Sequence, residues 1–211
     1  MHPNARRERN VAAAGARAAG GDDSMRIVGG RLRGRTLAVP RSQSIRPTAE
    51  RLREALFNIL VHGCGDPVTG GRVLDLFAGT GALGLEALSR GADFALFIDD
   101  AAAARALIRE NVAALGLGGV SRIFRRDATR LGDAQRLAPF SLVFLDPPYG
   151  RGLAQSALAS AQAGGWIAPG ALIVVEEAAK AAFAAPAGME ELDRRTYDDS
   201  ELIFMRSAGV T

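Results

Sequence analysis

Short apolar runs alternate with amphipathic stretches through the central part of the chain. Runs of β-branched and aromatic residues predict buried strands, and apolar residues spaced three to four apart predict helices. We place the strands at residues 73–77, 94–98, 120–125, 142–145 and 171–176, and the helices at residues 83–90, 101–115, 131–137 and 152–163. Strands that alternate with helices in this way predict a parallel α/β sheet with right-handed crossovers.

The end of the chain has a different pattern. Residues 190–197 and 201–205 read as two further strands, joined by the short segment Asp198–Ser200. A joint of this length predicts a hairpin, so the last strand should run antiparallel to its neighbours. We therefore predict a mostly parallel seven-stranded sheet with an antiparallel last strand. Residues 166–170 read as a turn before the fifth strand.

Before the sheet, the pattern predicts a small extension. Residues 25–30 and 35–40 read as the two strands of a β-hairpin, and residues 49–61 read as an amphipathic helix capped by Thr48. The glycine- and proline-containing segment 63–71 then marks a boundary. We thus divide the chain into an N-terminal hairpin and helix (25–62) and a main domain (63–211). Residues 1–24 hold few large apolar side chains, so we expect them to be disordered.

Charge is unevenly distributed along the chain. Residues 1–53 contain twelve arginines and four acidic residues, whereas acidic residues exceed basic ones in the remainder. A basic extension on a mildly acidic domain favours polyanion binding, although surface arginines are also common in alanine-rich sequences. A hairpin would place Arg31, Arg33 and Arg35 on one face, and Arg46 and Arg51 adjoin the Pro-Thr turn. The polar face of the helix carries Arg53 as well as Arg51.

Composition narrows the class of protein. No apolar run reaches the ~18 residues that a membrane span requires. With Cys64 as the single cysteine and two histidines, a zinc site is not expected, and cysteine usage is typical of a cytoplasmic protein. We therefore expect a cytoplasmic protein that uses no metal.

The fourth strand ends in Asp146, Pro147, Pro148 and Tyr149. Ligands of open α/β sheets bind beyond the carboxyl ends of the strands. The prolines stiffen the loop and remove two backbone donors, so the segment combines hydrogen-bond acceptors with an aromatic ring. This arrangement suits a planar base that carries an exocyclic amine. The alternative, that the four residues only turn the chain, stays open on this segment alone.

A glycine loop follows the first strand of the main domain. Gly79, Gly81 and Gly84 form the pattern G-x-G-x-x-G, and Asp99 ends the next strand, where an acid binds ribose hydroxyls in dinucleotide enzymes. Asp75, however, lies beneath the loop, where it would repel a pyrophosphate. Asp127 ends the third strand and is placed to accept from an adenine amine. These acids favour S-adenosyl-L-methionine over NAD as the cofactor.

Two long segments together carry a family resemblance. LDLFAGTGALGLEALSRGA at 74–92, combined with the DPPY motif at 146–149, is similar to class I methyltransferases that modify exocyclic amines. IVGGRLRGR at 27–35, RPT at 46–48 with Arg51, and LFN at 56–58 narrow the resemblance to the RsmD family. It covers about residues 25–206. Asp99 stands where this family usually has glutamate.

The resemblance implies a Rossmann-like class I fold and methyl transfer from S-adenosyl-L-methionine to guanine N2 in 16S ribosomal RNA. The expected partner is this RNA within a small-subunit assembly particle, and we expect a monomer. The expected catalytic residues are Asp146, Pro147, Pro148 and Tyr149. The expected cofactor residues are Asp75, Phe77, Ala78, Gly79, Thr80, Gly81, Asp99, Asp127 and Ala128, and the expected RNA contacts are Arg31, Arg33, Arg35, Arg46 and Arg51.

The chemistry of the motif agrees with this reaction. An aryl amine is a weak nucleophile, and Asp146 with the Pro147 carbonyl could accept its two N–H bonds and stabilise the positive charge that develops on nitrogen. Tyr149 would stack on the extruded base. Three alternatives stay open: methylation of adenine N6 in DNA or RNA, a nicotinamide oxidoreductase, and a non-catalytic RNA-binding module.

Overall fold

A computed structural model describes residues 25–40, 47–149 and 151–209. The predicted extension at 1–24 and the predicted RNA contact Arg46 lie outside the described residues. The strands of the described part are β1 Met25–Arg26, β2 Thr36–Leu37, β3 Arg72–Leu76, β4 Phe94–Ile98, β5 Ser121–Phe124, β6 Phe140–Leu145, β7 Ile167–Ala178, β8 Met189–Tyr197 and β9 Ser200–Ser207. The α-helices are α1 Pro47–Gly63, α2 Ala82–Ser89, α3 Ala102–Leu115 and α4 Leu153–Ala163.

Seven strands form one sheet in the order β5-β4-β3-β6-β7-β9-β8. The pairs from β5 to β7 are parallel, and β9 pairs antiparallel with both β7 and β8. The prediction of a mostly parallel seven-stranded sheet with an antiparallel last strand is therefore confirmed. This is the topology of a Rossmann-like class I methyltransferase, in which the last strand is inserted antiparallel.

Helices cover both faces of the sheet, as expected for strands that are buried on both sides. On one face, apolar residues of α1, α2 and α3 pack against the strands, among them Phe57, Leu85 and Ile108. On the other face, α4 packs with Trp166 and Phe140. Because residues of the N-terminal extension such as Ile27 and Leu37 join the first cluster, the hydrophobic core continues across the predicted boundary at residue 63.

The N-terminal hairpin differs from its prediction. Its strands β1 and β2 contain two residues each, and a 3-10 turn occupies Gly30–Leu32. Gly30 has a φ of +74° and sits so close to the Ser89 carbonyl that a Cβ there would lie 2.1 Å from its oxygen. This close contact with α2 curls the chain into a turn. The expectation that strand alternation aligns Arg31, Arg33 and Arg35 on one face is therefore wrong.

Helix α1 begins at Pro47, so Thr48 lies inside its first turn and the predicted cap is wrong. Proline favours the first position of a helix because its missing N–H has no partner there. Arg53, which the pattern placed on the polar face, is also buried: its exposed fraction is 4%. The buried carboxylate of Glu86 on α2 attracts this side chain inward.

Two other local predictions are wrong, each because of contacts that are distant in the sequence. Residues 131–137 do not form a helix, because their backbone bonds distant groups: Leu131 N–H donates to Ser160 Oγ and Ala134 N–H to the Gly164 carbonyl. Residues 167–170 of the predicted turn belong to β7. The pairing register between β6 and β7 shifts there, and the bulge contains Pro169 and Gly170.

Candidate active site

The carboxyl ends of β3, β6 and β7 meet at one edge of the sheet. Leu76 pairs with Leu145, and Leu145 pairs with Val175. The next residues along these strands, Phe77, Asp146 and Glu176, therefore lie side by side, and all three line a cleft of about 880 Å³. This cleft is the candidate active site.

The glycine loop forms one wall of the cleft. Gly81 precedes α2 with a φ of +79°, a conformation that glycine adopts without strain. A Cβ on Gly84 would lie 2.4 Å from the Phe97 ring and 3.1 Å from Asp75 Oδ2. Its absence lets the Gly84 N–H donate to Asp75 at 2.9 Å. Phe77, before the loop, also has a positive φ of 58°, which costs a non-glycine residue about 1–3 kcal/mol.

Asp75 is the most deeply buried acid of the cleft, with 2% of its surface exposed. Burial raises the pKa of Asp75; the Gly84 hydrogen bond opposes this shift, the Asp99 charge adds to it, and the resulting pKa is about 8. A cationic ligand that reached this carboxyl would relieve the cost of ionising it. The position therefore favours a positively charged group over a phosphate.

Two further predicted acids lie near the loop. Asp99 accepts hydrogen bonds from the Gly79 and Ala101 N–H groups, at 2.9 Å each. It therefore fixes the glycine loop, while each carboxylate oxygen keeps a second lone pair for a hydroxyl group. Asp127 accepts from the Thr129 N–H and hydroxyl, and the hydroxyl bond is the main reason why the pKa of Asp127 is lowered.

Asp146 points into the cleft with solvent-exposed surface. Surrounding protein, then the charges of Glu176, Asp75 and Glu177, raise the pKa of Asp146 well above the ordinary carboxyl value. Since the residue keeps exposed surface, the effect of burial grows when a base fills the cleft, and the repulsion from neighbouring acids acts in either state. Asp146 is thus a more basic acceptor than an ordinary aspartate.

Tyr149 reaches back toward the same edge of the sheet. Its hydroxyl donates to Glu176 Oε1 at 2.9 Å and lies 3.0 Å from Ser200 Oγ, while 45% of the residue is exposed. Burial also raises the pKa of Glu176, and the hydrogen bonds from Tyr149 and Ser200 oppose this shift. The DPPY segment is therefore tied to the end of β7, with the tyrosine at the rim of the site.

The N-terminal segment is attached directly to the glycine-loop region. Asn111 of α3 accepts from the Ala38 N–H at 2.6 Å and donates to the carbonyls of Ala38 and Thr80, at 3.1 and 3.0 Å. Fully buried Glu86 of α2 accepts from the Val28 N–H at 2.8 Å. These contacts fix the position of the basic segment relative to the cleft.

Glu86 also holds two arginines. Arg90 Nε donates to it at 2.7 Å, and Arg53 Nε lies 3.6 Å away. Arg53 in turn donates to the Arg26 carbonyl. These arginines bind protein groups, whereas Arg31, Arg33 and Arg51 are exposed. Arg35 is exposed too, but its guanidinium donates to the Ala114 carbonyl at 2.9 Å.

The cleft brings together six of the predicted site residues: Asp75, Phe77, Ala78, Gly79, Thr80 and Asp146. Asp99 lies behind this lining and binds the Gly79 N–H, Asp127 caps the 3-10 turn after β5, and Ala128 is the first residue of that turn. Gly81 lies at the end of the loop and caps the N-terminus of α2. Of the residues that follow Asp146, Pro147 is buried, whereas Pro148 and Tyr149 are exposed.

Sequence reasoning missed part of the lining. The N-terminal segment and α1 contribute Met25, Val39, Pro40, Leu52, Arg53 and Leu56, α3 contributes Ala103, Leu107 and Glu110, and the last strands contribute Glu176 and Leu202. Glu176 had a signal in the sequence, because it ends a predicted strand as Asp146 does. The other residues enter the cleft through tertiary packing, which periodicity does not report.

Within the described residues, no helix has the length and apolar character needed to cross a membrane. The same residues contain no grouping of three or more histidine, cysteine or acidic side chains arranged to hold a metal ion.

Residues 25–206 match the sequence profile of the family described as "Conserved hypothetical protein 95". The chain is 44% identical over 157 residues to "Ribosomal RNA small subunit methyltransferase D" of Escherichia coli (strain K12), an alignment that covers 74% of this chain and 76% of that protein. The solved Escherichia coli protein yhhF superposes with a TM-score of 0.75 at 34% identity, covering 89% of this chain and 99% of that one.

A more distant structure shares the fold alone. It is the 16S rRNA N2 methyltransferase RsmC of T. thermophilus in complex with AdoMet and guanosine, which matches with a TM-score of 0.61 at 23% identity and covers 87% of this chain and 49% of that one. Together with the profile match and the Escherichia coli relative, the sheet topology and the DPPY cleft lead to one conclusion: the chain belongs to the RsmD family of ribosomal RNA small subunit methyltransferases.

Proposed function

We propose that this protein transfers the methyl group of S-adenosyl-L-methionine to N2 of a guanine in 16S ribosomal RNA. The observation that carries the proposal is the shared cleft of Asp146 and the glycine loop. The same cavity then contains an acceptor for an exocyclic amine and a loop suited to a nucleoside cofactor. Direct transfer of the methyl group from cofactor to amine requires this arrangement.

The residues of the cleft fit the cofactor. S-adenosyl-L-methionine supplies an electrophilic methyl group on a positively charged sulfur. Asp75 would bind the cationic amino acid end, and the backbone of Gly79 and Thr80 would approach the ligand closely because the loop carries no bulky side chains. Asp99 would accept from the ribose hydroxyls, and Asp127 with Ala128 would contact the adenine.

Asp146 and the Pro147 carbonyl would bind the amine that receives the methyl group. Their acceptor atoms would take its two N–H bonds and orient the nitrogen lone pair toward the methyl donor. As the new C–N bond forms and the C–S bond breaks, positive charge develops on nitrogen, and one N–H proton then leaves to a nearby base. The raised pKa of Asp146 suits it to receive this proton.

Tyr149 and Pro148 would contact the plane of the extruded base, as aromatic and apolar side chains do in other enzymes that act on flipped nucleotides. Exposed Arg31, Arg33 and Arg51, with Arg35 and Arg46, would contact the RNA backbone outside the cleft. The substrate would be the RNA, free or in a small-subunit assembly particle, and the protein would act as a monomer.

The substitution Asp146→Ala tests the assignment. We expect methyl transfer to fall at least ~100-fold, as when a transition-state acceptor or donor is lost, while calorimetry shows unchanged cofactor binding. Asp93→Ala is the matched control, because it removes an exposed acid at the opposite, amino edge of the sheet. Full activity of Asp146→Ala would remove Asp146 from the reaction.

The remaining rival is methylation of adenine N6, since the DPPY motif suits any base with an exocyclic amine. Nucleoside mass analysis of the methylated RNA separates the two reactions. We expect the label in N2-methylguanosine, and recovery in N6-methyladenosine would favour the rival.

A further inference from the structure

Glu176 is an acid of the cleft to which the reaction above assigns no role. Glu176 ends β7 as Asp146 ends β6, and the pair Leu145 and Val175 immediately before them fixes their register. Neighbouring strands lie about 4.8 Å apart, so the two carboxyl groups stand next to each other. Both line the cleft, and the charge of Glu176 raises the pKa of Asp146, which requires that the two groups lie close together.

Glu176 is held in a defined orientation. The Tyr149 hydroxyl donates to its Oε1 at 2.9 Å, and Ser200 bonds it as well. A carboxylate has about four acceptor positions, so two hydroxyl donors leave room for a further N–H. Since Tyr149 follows the DPPY prolines, this contact couples Glu176 to the segment expected to hold the base.

The amino-bearing bases differ in the atom beside the amine. In guanine the ring nitrogen next to the amine carries a hydrogen, so its Watson–Crick edge presents two adjacent donors. In adenine and cytosine that ring nitrogen is an acceptor. Two adjacent carboxylates match guanine, whereas against adenine or cytosine one of them would face the lone pair of the ring nitrogen and be repelled by it.

We propose that Glu176 is the residue that selects guanine, by accepting the N1–H while Asp146 accepts from N2. This inference rests on the proposed function and deepens it, because Asp146-Pro147-Pro148-Tyr149 recognises an exocyclic amine without distinguishing the ring beside it. A buried polar group left without its partner gives strong discrimination between otherwise similar ligands.

The test uses 2-aminopurine, which keeps the 2-amino group but has an acceptor at N1. The target guanosine is first located by mass mapping, and small-subunit RNA is then assembled with guanosine or 2-aminopurine riboside at that position. Wild-type protein should prefer guanosine by at least ~100-fold in kcat/KM. Because 2-aminopurine also lacks the 6-oxygen, the change in preference between protein variants, not the preference itself, reports on Glu176.

The informative variant is Glu176→Gln, whose amide can turn its NH2 toward an N1 acceptor. We expect its preference for guanosine to fall at least ~10-fold relative to wild type, partly through a gain on 2-aminopurine. Ser200→Ala is the matched control: it removes a hydroxyl beside Glu176 but keeps the carboxylate, so the preference should stay within about 3-fold of wild type.

The outcomes separate the two proposals. If Glu176 only holds Tyr149 in place, Glu176→Gln lowers kcat/KM equally on both RNAs and the preference is unchanged, which overturns this inference while N2 methylation by the wild type still supports the proposed function. If the wild type methylates no guanine N2, both proposals fail. Cofactor binding and thermal unfolding of each variant verify that it is folded.

Discussion

The buried carboxyl of Asp75, which we propose binds the cofactor, is unfavourable in the free protein. A carboxyl this deeply buried is neutral over much of the physiological pH range, since its pKa is about 8. Buried acids of this kind reduce stability when they ionise. A residue that is unfavourable in the free protein and lines a cavity is a candidate for ligand binding.

We predict that Asp75→Asn makes stability less dependent on pH. The pKa of Asp75 is higher in the folded protein than the 3.8 of a free side chain, so the folded state binds the extra proton between these values. The free energy of unfolding of the wild type should therefore fall as pH rises from about 4 to about 8, by on the order of a few kcal/mol. Asparagine cannot ionise and removes this slope.

Urea unfolding at pH 5 and pH 9, each without ligand, measures the effect. Asp75→Asn should gain stability relative to wild type at pH 9, while its affinity for S-adenosyl-L-methionine falls. An equal difference between the two proteins at both pH values would contradict the raised pKa of Asp75.

The ionisation of Asp146 gives a second pH prediction. Asp146 can take up the amine proton only when its carboxyl is ionised, and the pKa of this carboxyl lies well above the ordinary value. Single-turnover methyl transfer should therefore rise with pH through this raised pKa and fall on the acid side. In Glu176→Gln the neighbouring negative charge is absent, so the acid limb should move to lower pH. An acid limb at the same pH in both proteins would contradict the electrostatic coupling.

At the scale of elements, the hairpin and α1 depend on polar anchors in the helices behind the glycine loop. Asn111 bonds both backbone groups of Ala38 and the Thr80 carbonyl, and it is 1% exposed. Glu86, also buried, binds the Val28 N–H. These side chains therefore fix the extension against the two helices that flank the glycine loop.

We predict that Asn111→Ala destabilises the protein by about 2–4 kcal/mol, because it leaves three backbone groups without their partner in a largely buried environment. Chemical denaturation measures this loss. Arg109→Ala is the control on the same helix: its side chain is exposed, so a change within about 0.5 kcal/mol is expected. A similarly small effect of Asn111→Ala would show that the anchor carries no weight.

Elements with regular local patterns were predictable from the sequence. The strand Phe94–Ile98 was predicted with its observed bounds, and Gly79, Gly81 and Asp146 were identified because β-α-β periodicity places such residues at the carboxyl edge of a sheet. Segments whose hydrogen bonds go to distant partners were not predictable. Residues 131–137 read as a helix. However, Trp166 Nε1 donates to the Gly132 carbonyl at 2.7 Å, and this bond helps to hold the segment in a non-helical conformation.

The candidate site shows the same division. The DPPY motif and the glycine loop carry their chemistry in consecutive residues, so they could be found in the sequence. Glu176 lies far from both along the chain, and only the β6–β7 register brings it beside Asp146. No local sequence pattern would have located the shift in this register at Pro169 and Gly170.

At the scale of the whole molecule, the charges divide into internal and external arginines. Arg53 and Arg90 bind Glu86, whereas Arg31, Arg33 and Arg51 are exposed on the N-terminal side of the cleft. Within the basic segment predicted to bind RNA, Arg53 is therefore engaged by the protein itself, whereas exposed Arg31, Arg33 and Arg51 present guanidinium groups that suit phosphate.

We predict that the double substitution Arg31→Ala and Arg33→Ala weakens RNA binding and makes it less dependent on salt. Each lost phosphate contact to single-stranded RNA should reduce the slope of log K against log salt by about 0.7. Arg136→Ala is the control, because this exposed arginine precedes β6 at the opposite edge of the sheet. Equal slopes for the double variant and the wild type would remove these residues from the RNA contact.

In the proposed reaction, the cleft binds the cofactor and a guanine together, and the methyl group passes to the 2-amino group of that guanine. The most direct measurement is mass mapping of 16S ribosomal RNA from cells that lack this protein, before and after incubation with purified protein and S-adenosyl-L-methionine. We expect one N2-methylguanosine to be missing and wild-type protein to restore it, whereas Asp146→Ala should not restore it. Unchanged N2-methylguanosine in the deletion strain, or restoration by Asp146→Ala at the wild-type rate, would contradict it.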